Sequence, residues 1–257
     1  ALTSNTAANK NVAIGSNSLS AFNVTSDTDT YNTAVGYGAG ATVTTGLSNT
    51  LIGGLAGDAI TTGSNNVGLG RSALTANTTA SDNTAVGMAS LAANTTGANN
   101  TAVGRDALTL NTTGASNTSM GSLSLDANTT GNDNTAVGVN ALTSNTTASN
   151  NTAVGVNSLN ANTTASNNTA VGTSALVANT GQGNTVLGSQ VAEEQTTGQE
   201  NVIIGFHAGS HTVNLTSGSF NTLVGSYAHT TAVDTAGANV IGYDVSGAAG
   251  YTTLGKS

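Results

Sequence analysis

Aliphatic residues recur along this chain at a fixed interval, separated by clusters of Asn, Thr, Ser and Gly. The unit is clearest in NTAVGVNALTSNTTASN, residues 134–150, followed at once by NTAVGVNSLNANTTASN. Its glycine stands at 15, 36, 53, 70, 87, 104, 121, 138, 155, 172, 188, 205, 225, 242 and 255, and every interval from Gly36 to Gly172 is 17 residues. A period of this length marks a repeat architecture, and no helical heptad produces it. The Asn-Thr-Thr and Ala-Ser-Asn clusters are turn chemistry, because Asn and Gly tolerate positive φ and Asn or Ser side chains bond nearby backbone. Two short strands per unit are therefore predicted, one centred on Thr-Ala-Val and one on Ala-Leu-x-x-Asn-Thr. Stacked at roughly 4.8 Å by main-chain hydrogen bonds, they make an all-β fold, a parallel β-roll or β-solenoid of about fifteen coils with a 17-residue repeat.

Position within the unit assigns roles. The residue before the glycine is apolar in every copy, with Val86, Val103, Val137, Val154 and Val171 among them, and it is predicted to form the interior ladder. Four residues after the glycine, Leu142, Leu159 and Leu176 continue a second ladder facing the first. Two residues before the glycine the side chain is mostly Ala, with Leu51, Val186, Ile203, Leu223 and Val240 elsewhere. Alternation along a strand sends that position to the opposite, outer face. An outer face that is also apolar needs cover, and symmetric association of identical chains supplies it. A homotrimer is the oligomer expected, packed through the alanine row. The Asn before Thr-Ala-Val reads as a stack of mutually bonded amides whose role is cohesion. Residues 1–188 form the regular solenoid and 189–257 a less regular continuation with a loop insertion near 206–221.

Composition supports a thin structure. The 257 residues hold no Trp, Pro or Cys, three Phe and five Tyr, and 6% charged residues, too little bulky apolar volume for a thick globular core. A net charge of −8 with four basic residues argues against nucleic acid, which needs a Lys/Arg stripe, and against anionic membranes. No apolar run is long enough to span a bilayer, so no membrane insertion by this segment is expected. Absence of cysteine removes disulfide and thiol chemistry and fits an extracellular product. Ala1-Leu2-Thr3-Ser4-Asn5-Thr6 repeats residues 141–146, so the chain starts inside a repeat and is expected to be a piece of something longer.

Candidate chemistry is sparse. GYTTLGKS, residues 250–257, fits the phosphate-cradling pattern G-x-x-x-x-G-K-[ST], but Gly255 is also the register glycine of the last copy and Leu254 its apolar neighbour. The strand, loop and helix that this pattern requires conflict with the repeat, so it is read as coincidence, as is the Gly36, Gly38, Gly40 run. Asn77, Asn94, Asn111, Asn128, Asn145 and Asn162 match glycosylation sequons yet fall at fixed turn positions, which favours a structural role. His207, His211 and His229 could be gathered into a metal ring by a symmetric oligomer, although surface histidines are the better reading. No carboxylate pair or nucleophile set stands out, so neither catalytic residue nor cofactor is expected. Phe206, His207, His211 and Phe220 are the candidate receptor contacts, because FHAGSHTVNLTSGSF concentrates rings in a chain nearly devoid of them.

NVAIGSNSLS (11–20), NTAVGYGAGA (32–41) and NVIIGFHAGS (201–210) resemble the S-V-A-I-G repeats of YadA-type heads in trimeric autotransporter adhesins. The N-T-A-V-G-x-x-A-L-x-x-N-T-T-G arrays are also similar to shaft repeats of bacteriophage tail fibres. The likeness runs over essentially the whole chain, although the unit is longer than that of the adhesin heads and no coiled-coil stalk or membrane anchor is recognisable. It implies a stiff extracellular trimer on a bacterial surface or a phage virion, attaching to a host-cell surface receptor or glycan. The expected function is thus a non-enzymatic fibre or adhesin segment. The alternatives are an ice-binding solenoid using threonine rows such as Thr84, Thr101, Thr118 and Thr135, or a passive spacer.

Overall fold

The computed structural model of the chain describes residues 1–2, 8–24 and 28–255. Among these there is no helix, and the fold is a parallel β-solenoid of about 14 turns with a repeat near 17 residues. The chain divides into two compact units, Ala1–Asn132 and Asp133–Ser257. The change from regular to less regular spacing at residue 188 lies inside the second.

In the first unit one three-residue strand per coil, from Val12–Ile14 through Thr33–Val35, Thr50–Ile52, Val67–Leu69, Thr84–Val86 and Thr101–Val103 to Thr118–Met120, pairs in parallel with the next. In the second unit the ladder runs from Thr135–Val137 to Thr252–Leu254 in the same way. Register stacks like on like: Ala136 pairs with Ala153 and Ala153 with Ala170. Small two-residue pairs flank each ladder, Ala8–Asn9 with Thr28–Asp29 and His229–Thr230 with Ser246–Gly247.

Two expectations are corrected. The first concerns which side of the strand faces in. The middle residue is the interior one: Ala34, Ala85, Ala102, Ala136, Ala153 and Ala170 are all 0% exposed. The residue before the glycine points out, so Val86, Val103, Val137, Val154 and Val171 are half-buried, and Ile52, Met120 and Leu187 stand 37%, 44% and 47% exposed. A three-residue strand has one inward position, and in a coil this thin the opposite wall already carries a fully buried leucine such as Leu142, Leu159 or Leu176. Only a small side chain fits across from it. Where the second wall shrinks, the strand residue grows. Gly57 replaces that leucine in the coil whose strand residue is Leu51, and a Cβ on Gly57 would lie 2.7 Å from both Ile60 Cδ1 and Leu51 Cδ2. Leu51, Val43, Ile60 and Phe22 fill the same early core. Volume is conserved while the residues that supply it change.

The second correction concerns the Ala-Leu-x-x-Asn-Thr segment, which is not a strand. Leu74, Leu91, Leu108, Leu125, Leu142, Leu159 and Leu176 all have φ between 50° and 57°, and the residue two before each is also left-handed. Left-handed backbone is costly for a bulky residue, on the order of 1–2 kcal/mol, and no pleated strand contains it. It turns each leucine into the core while its N–H still reaches the next coil, as from Leu142 to Ser158 O and from Leu159 to Ala175 O (both 3.0 Å). Burial of the leucine and the coil-to-coil hydrogen bond offset the strain.

Two buried asparagine columns close the corners. In the first unit the Asn49 N–H donates to Asn32 Oδ1 (2.9 Å), and Asn49 Nδ2 donates to Asn32 Oδ1 (3.2 Å) and Gly63 O (2.9 Å). The second unit repeats the bond from Asn151 N–H to Asn134 Oδ1 (3.0 Å). The asparagines of Asn-Thr-Thr form the other column: Asn94 Nδ2 donates to Asn77 Oδ1 (2.8 Å) and to Gly97 O (2.9 Å). Each such amide is fully buried, and the mutual bonding offsets the desolvation cost that an unpaired amide would carry, Asn162 Oδ1 being an acceptor left without a partner among the described residues.

Candidate functional site

The sequence-predicted contact residues lie in the second unit, where the coil starting at Gly205 is longer than its neighbours. Leu215 N–H donates to Gly209 O (3.0 Å), and Ser210 and Asn214 form an isolated bridge. The excess residues are therefore extruded between them, with His211 and Thr212 exposed and Leu215 returning fully buried. Leu215 and Ile203 fill this coil. Phe206 and Phe220 do not plug it, being 42% and 62% exposed.

Phe206, His207 and His211 are brought together and joined by Tyr227, Tyr243 and His229. The Phe206 and His207 rings meet edge to face at 4.3 Å, His207 lies parallel to Tyr227 at 5.7 Å, and His211 approaches Tyr227 at 4.7 Å. Tyr227 in turn meets Tyr243 edge to face at 5.9 Å, and His211 meets His229 at the same distance. The solenoid explains this: His207, Tyr227 and Asp244 each stand two residues after a register glycine, and Phe206 and Tyr243 one residue after. The His207 N–H donates to Ser189 O (3.3 Å), the Tyr227 N–H to Phe206 O (2.9 Å) and the Asp244 N–H to Ser226 O (3.0 Å), which stacks these positions coil on coil. Aligning the chain on its glycines would have placed Tyr227 and Tyr243 beside Phe206 and His207. Phe220 is separate, on the corner before the buried Asn221, with its own N–H on Gln199 O (3.0 Å).

The cluster carries directional polar groups. His211 Nε2 lies 3.8 Å from Asp244 Oδ1, and His229 Nδ1 lies 3.0 Å from Tyr227 O. Among the described residues no group of three or more His, Cys, Asp or Glu converges as a metal site. The arrangement can offer aromatic edges and faces, imidazole nitrogens and one carboxylate to a surface ligand.

Comparison with family models, with curated proteins and with solved structures gives no match for this chain.

The nucleotide-like motifs do not gain support from that geometry. Thr252–Leu254 is a strand paired with Asn239–Ile241 and leads directly into Gly255, while Lys256 and Ser257 lie outside the described residues, as do Thr3 to Thr6 of the repeated opening. The N–H groups of Gly36, Gly38 and Gly40 are spent on Ile14 O, Ser16 O and Ala56 O, so they cannot cradle a phosphate. The sequon asparagines Asn77, Asn94, Asn111, Asn128, Asn145 and Asn162 are fully buried, which closes them to a glycan in the folded chain.

Proposed function

We propose that this chain is a non-enzymatic segment of an extracellular fibre or adhesin, associating with two copies of itself and holding an attachment surface away from the body that bears it. The observation that carries this reading is the outward face of the ladder. Thr101 and Val103, Thr118 and Met120 in the first unit, and Thr135 and Val137, Thr152 and Val154, Thr169 and Val171 in the second, are outward pairs, and no ionisable side chain stands at the outward positions of the described three-residue strands. Within each unit, a row of aliphatic side chains stacked coil on coil is an unusual surface for a solitary chain. Self-association with parallel, in-register copies covers it without a second kind of partner. The face is the valine row, not the alanine row that the sequence alone suggested. Equilibrium sedimentation tests the proposal: a mass near three chains is expected, and a stable monomer at micromolar concentration overturns it. Attachment to host cells or their glycans follows from the resemblance to adhesin heads and phage fibres, together with the ring cluster on the second unit.

Ice binding is a second reading that the same face favours. In most coils the outward strand positions set a threonine hydroxyl beside an aliphatic side chain, with Val12, Val67, Val202 and Asn239 as the exceptions. Measurable thermal hysteresis in the purified chain supports this alternative, and its absence at millimolar concentration removes it.

A further inference from the structure

The second unit carries an open groove of about 550 Å³ that the attachment reading does not use. Asn140, Asn157, Asn160 and Ser174 line it, with Val177 as its one apolar lining residue and Glu193 and Glu194 completing it. Its amides are only partly engaged. Asn140 Nδ2 donates to Asn157 Oδ1 (3.2 Å) and Asn160 Nδ2 to Asn140 O (3.2 Å), which leaves Asn157 Nδ2, Asn140 Oδ1 and Asn160 Oδ1 without a partner among the described residues. Glu194 accepts from Asn214 Nδ2 (2.5 Å), and no basic side chain among the described residues pairs with either glutamate. The groove therefore presents unpaired donors and acceptors side by side, in a size range that suits a small ligand.

We infer that this groove binds a short, non-acidic oligosaccharide. Vicinal hydroxyls are donors and acceptors at once, and they match amides and carboxylates set next to one another. Two glutamates with no basic partner among the described residues, in a chain of net charge −8, repel anionic ligands. A bare cation finds no convergent ligand set here. The ring cluster extends the site in the same direction. The Glu193 N–H donates to Ser210 Oγ (2.7 Å), and Asn214, which holds Glu194, closes the extruded loop that bears His211. Phe206 and Tyr243, 42% and 63% exposed, stand on the coils beyond, where a sugar's C–H face can stack on an aromatic ring. This inference rests on the attachment reading for its biological sense, though not for its geometry.

Saturation-transfer NMR on the full chain tests it, with cellotriose, maltotriose and chitotriose as neutral probes and trigalacturonate as the acidic one. At least one neutral trisaccharide is expected to bind at millimolar or better affinity, and trigalacturonate is not. Asn157→Gly, compatible with the φ of 57° at that position, and Glu194→Gln are each expected to weaken binding about tenfold, the effect of losing one good hydrogen bond, with melting unchanged. No transfer to any neutral sugar, equal binding of trigalacturonate, or wild-type affinity in both variants overturns the groove. Sedimentation of the same samples keeps the two readings apart. A trimer that ignores all the sugars overturns the groove alone, whereas a monomer that binds them supports the groove and removes the trimeric fibre.

Discussion

At the scale of single residues, the solenoid is intolerant where coils touch and permissive elsewhere. Gly138 has φ of 133°, and a Cβ there would stand 2.6 Å from Gly155 O, so Gly138→Ala meets both a forbidden backbone region and the next coil. A loss on the order of 3 kcal/mol is expected, read as a lower denaturant midpoint, while Thr173→Ala on the exposed neighbouring column should change it little. Asp126 behaves differently. Its Oδ1 is buried without a partner, and burial pushes the carboxyl above the usual carboxylate range, with the charge of Asp106 adding to the effect. The folded state therefore holds its proton more tightly than the unfolded chain. The resulting stabilisation is full below the ordinary carboxylate pKa and is lost as pH rises through the raised value. Asp126→Asn should raise the melting temperature at pH 7 and do so much less at pH 3. An equal gain at both pH values, or a loss at pH 7, would contradict the assignment.

At the scale of the element, the strand Thr135–Val137 shows what could and could not be read from sequence. The period, the parallel stacking, the buried leucine column and the asparagine ladder follow from residue type and spacing, because each repeats in register. The direction of the strand does not. Bulk alone marks Val137 as interior, yet Ala136 is interior and Val137 is not, because Leu142 already occupies the space across the coil. A signal was present in the copies that break the rule: Leu51 accompanies Gly57, and Ile203 accompanies Gly209, large against small across one wall. The left-handed leucines were invisible, since their strain is offset by tertiary burial, which no local propensity encodes. The ring cluster was half legible, its loop from the irregular interval and its tyrosines only through column alignment. A paired substitution checks the orientation. Ala136→Asp places a carboxylate in a closed core and should unfold the chain or cost it several kcal/mol. Val137→Asp should leave a folded chain, because that side chain reaches solvent in a single copy, and should lower the sedimenting mass toward one chain if the valine row joins the copies. If instead Ala136→Asp is tolerated and Val137→Asp unfolds, the strand is reversed.

At the scale of the whole molecule, the regular coils within each unit contact their neighbours through the same bonds, so the stability of a unit is close to a sum of coil and interface contributions. The Asn151–Asn167 segment is one full period: its removal joins Asn150 to Asn168, and every inward, outward and amide position then meets its own kind again. Asn168 N–H, which donates to Asn151 Oδ1 (2.9 Å), would meet Asn134 Oδ1 in the place where Asn151 N–H now donates (3.0 Å). Deleting Asn151–Asn167 should therefore leave the circular dichroism per residue and the melting temperature almost unchanged. Deleting only Asn151–Leu159 removes the strand and the inward leucine while keeping the Asn162 corner, so the remaining half coil has no inner wall to close on. That chain should melt far lower or fail to fold. A comparable loss from the two deletions would show that these coils are not interchangeable modules, and that particular contacts in this stretch, rather than the repeat itself, hold the second unit together.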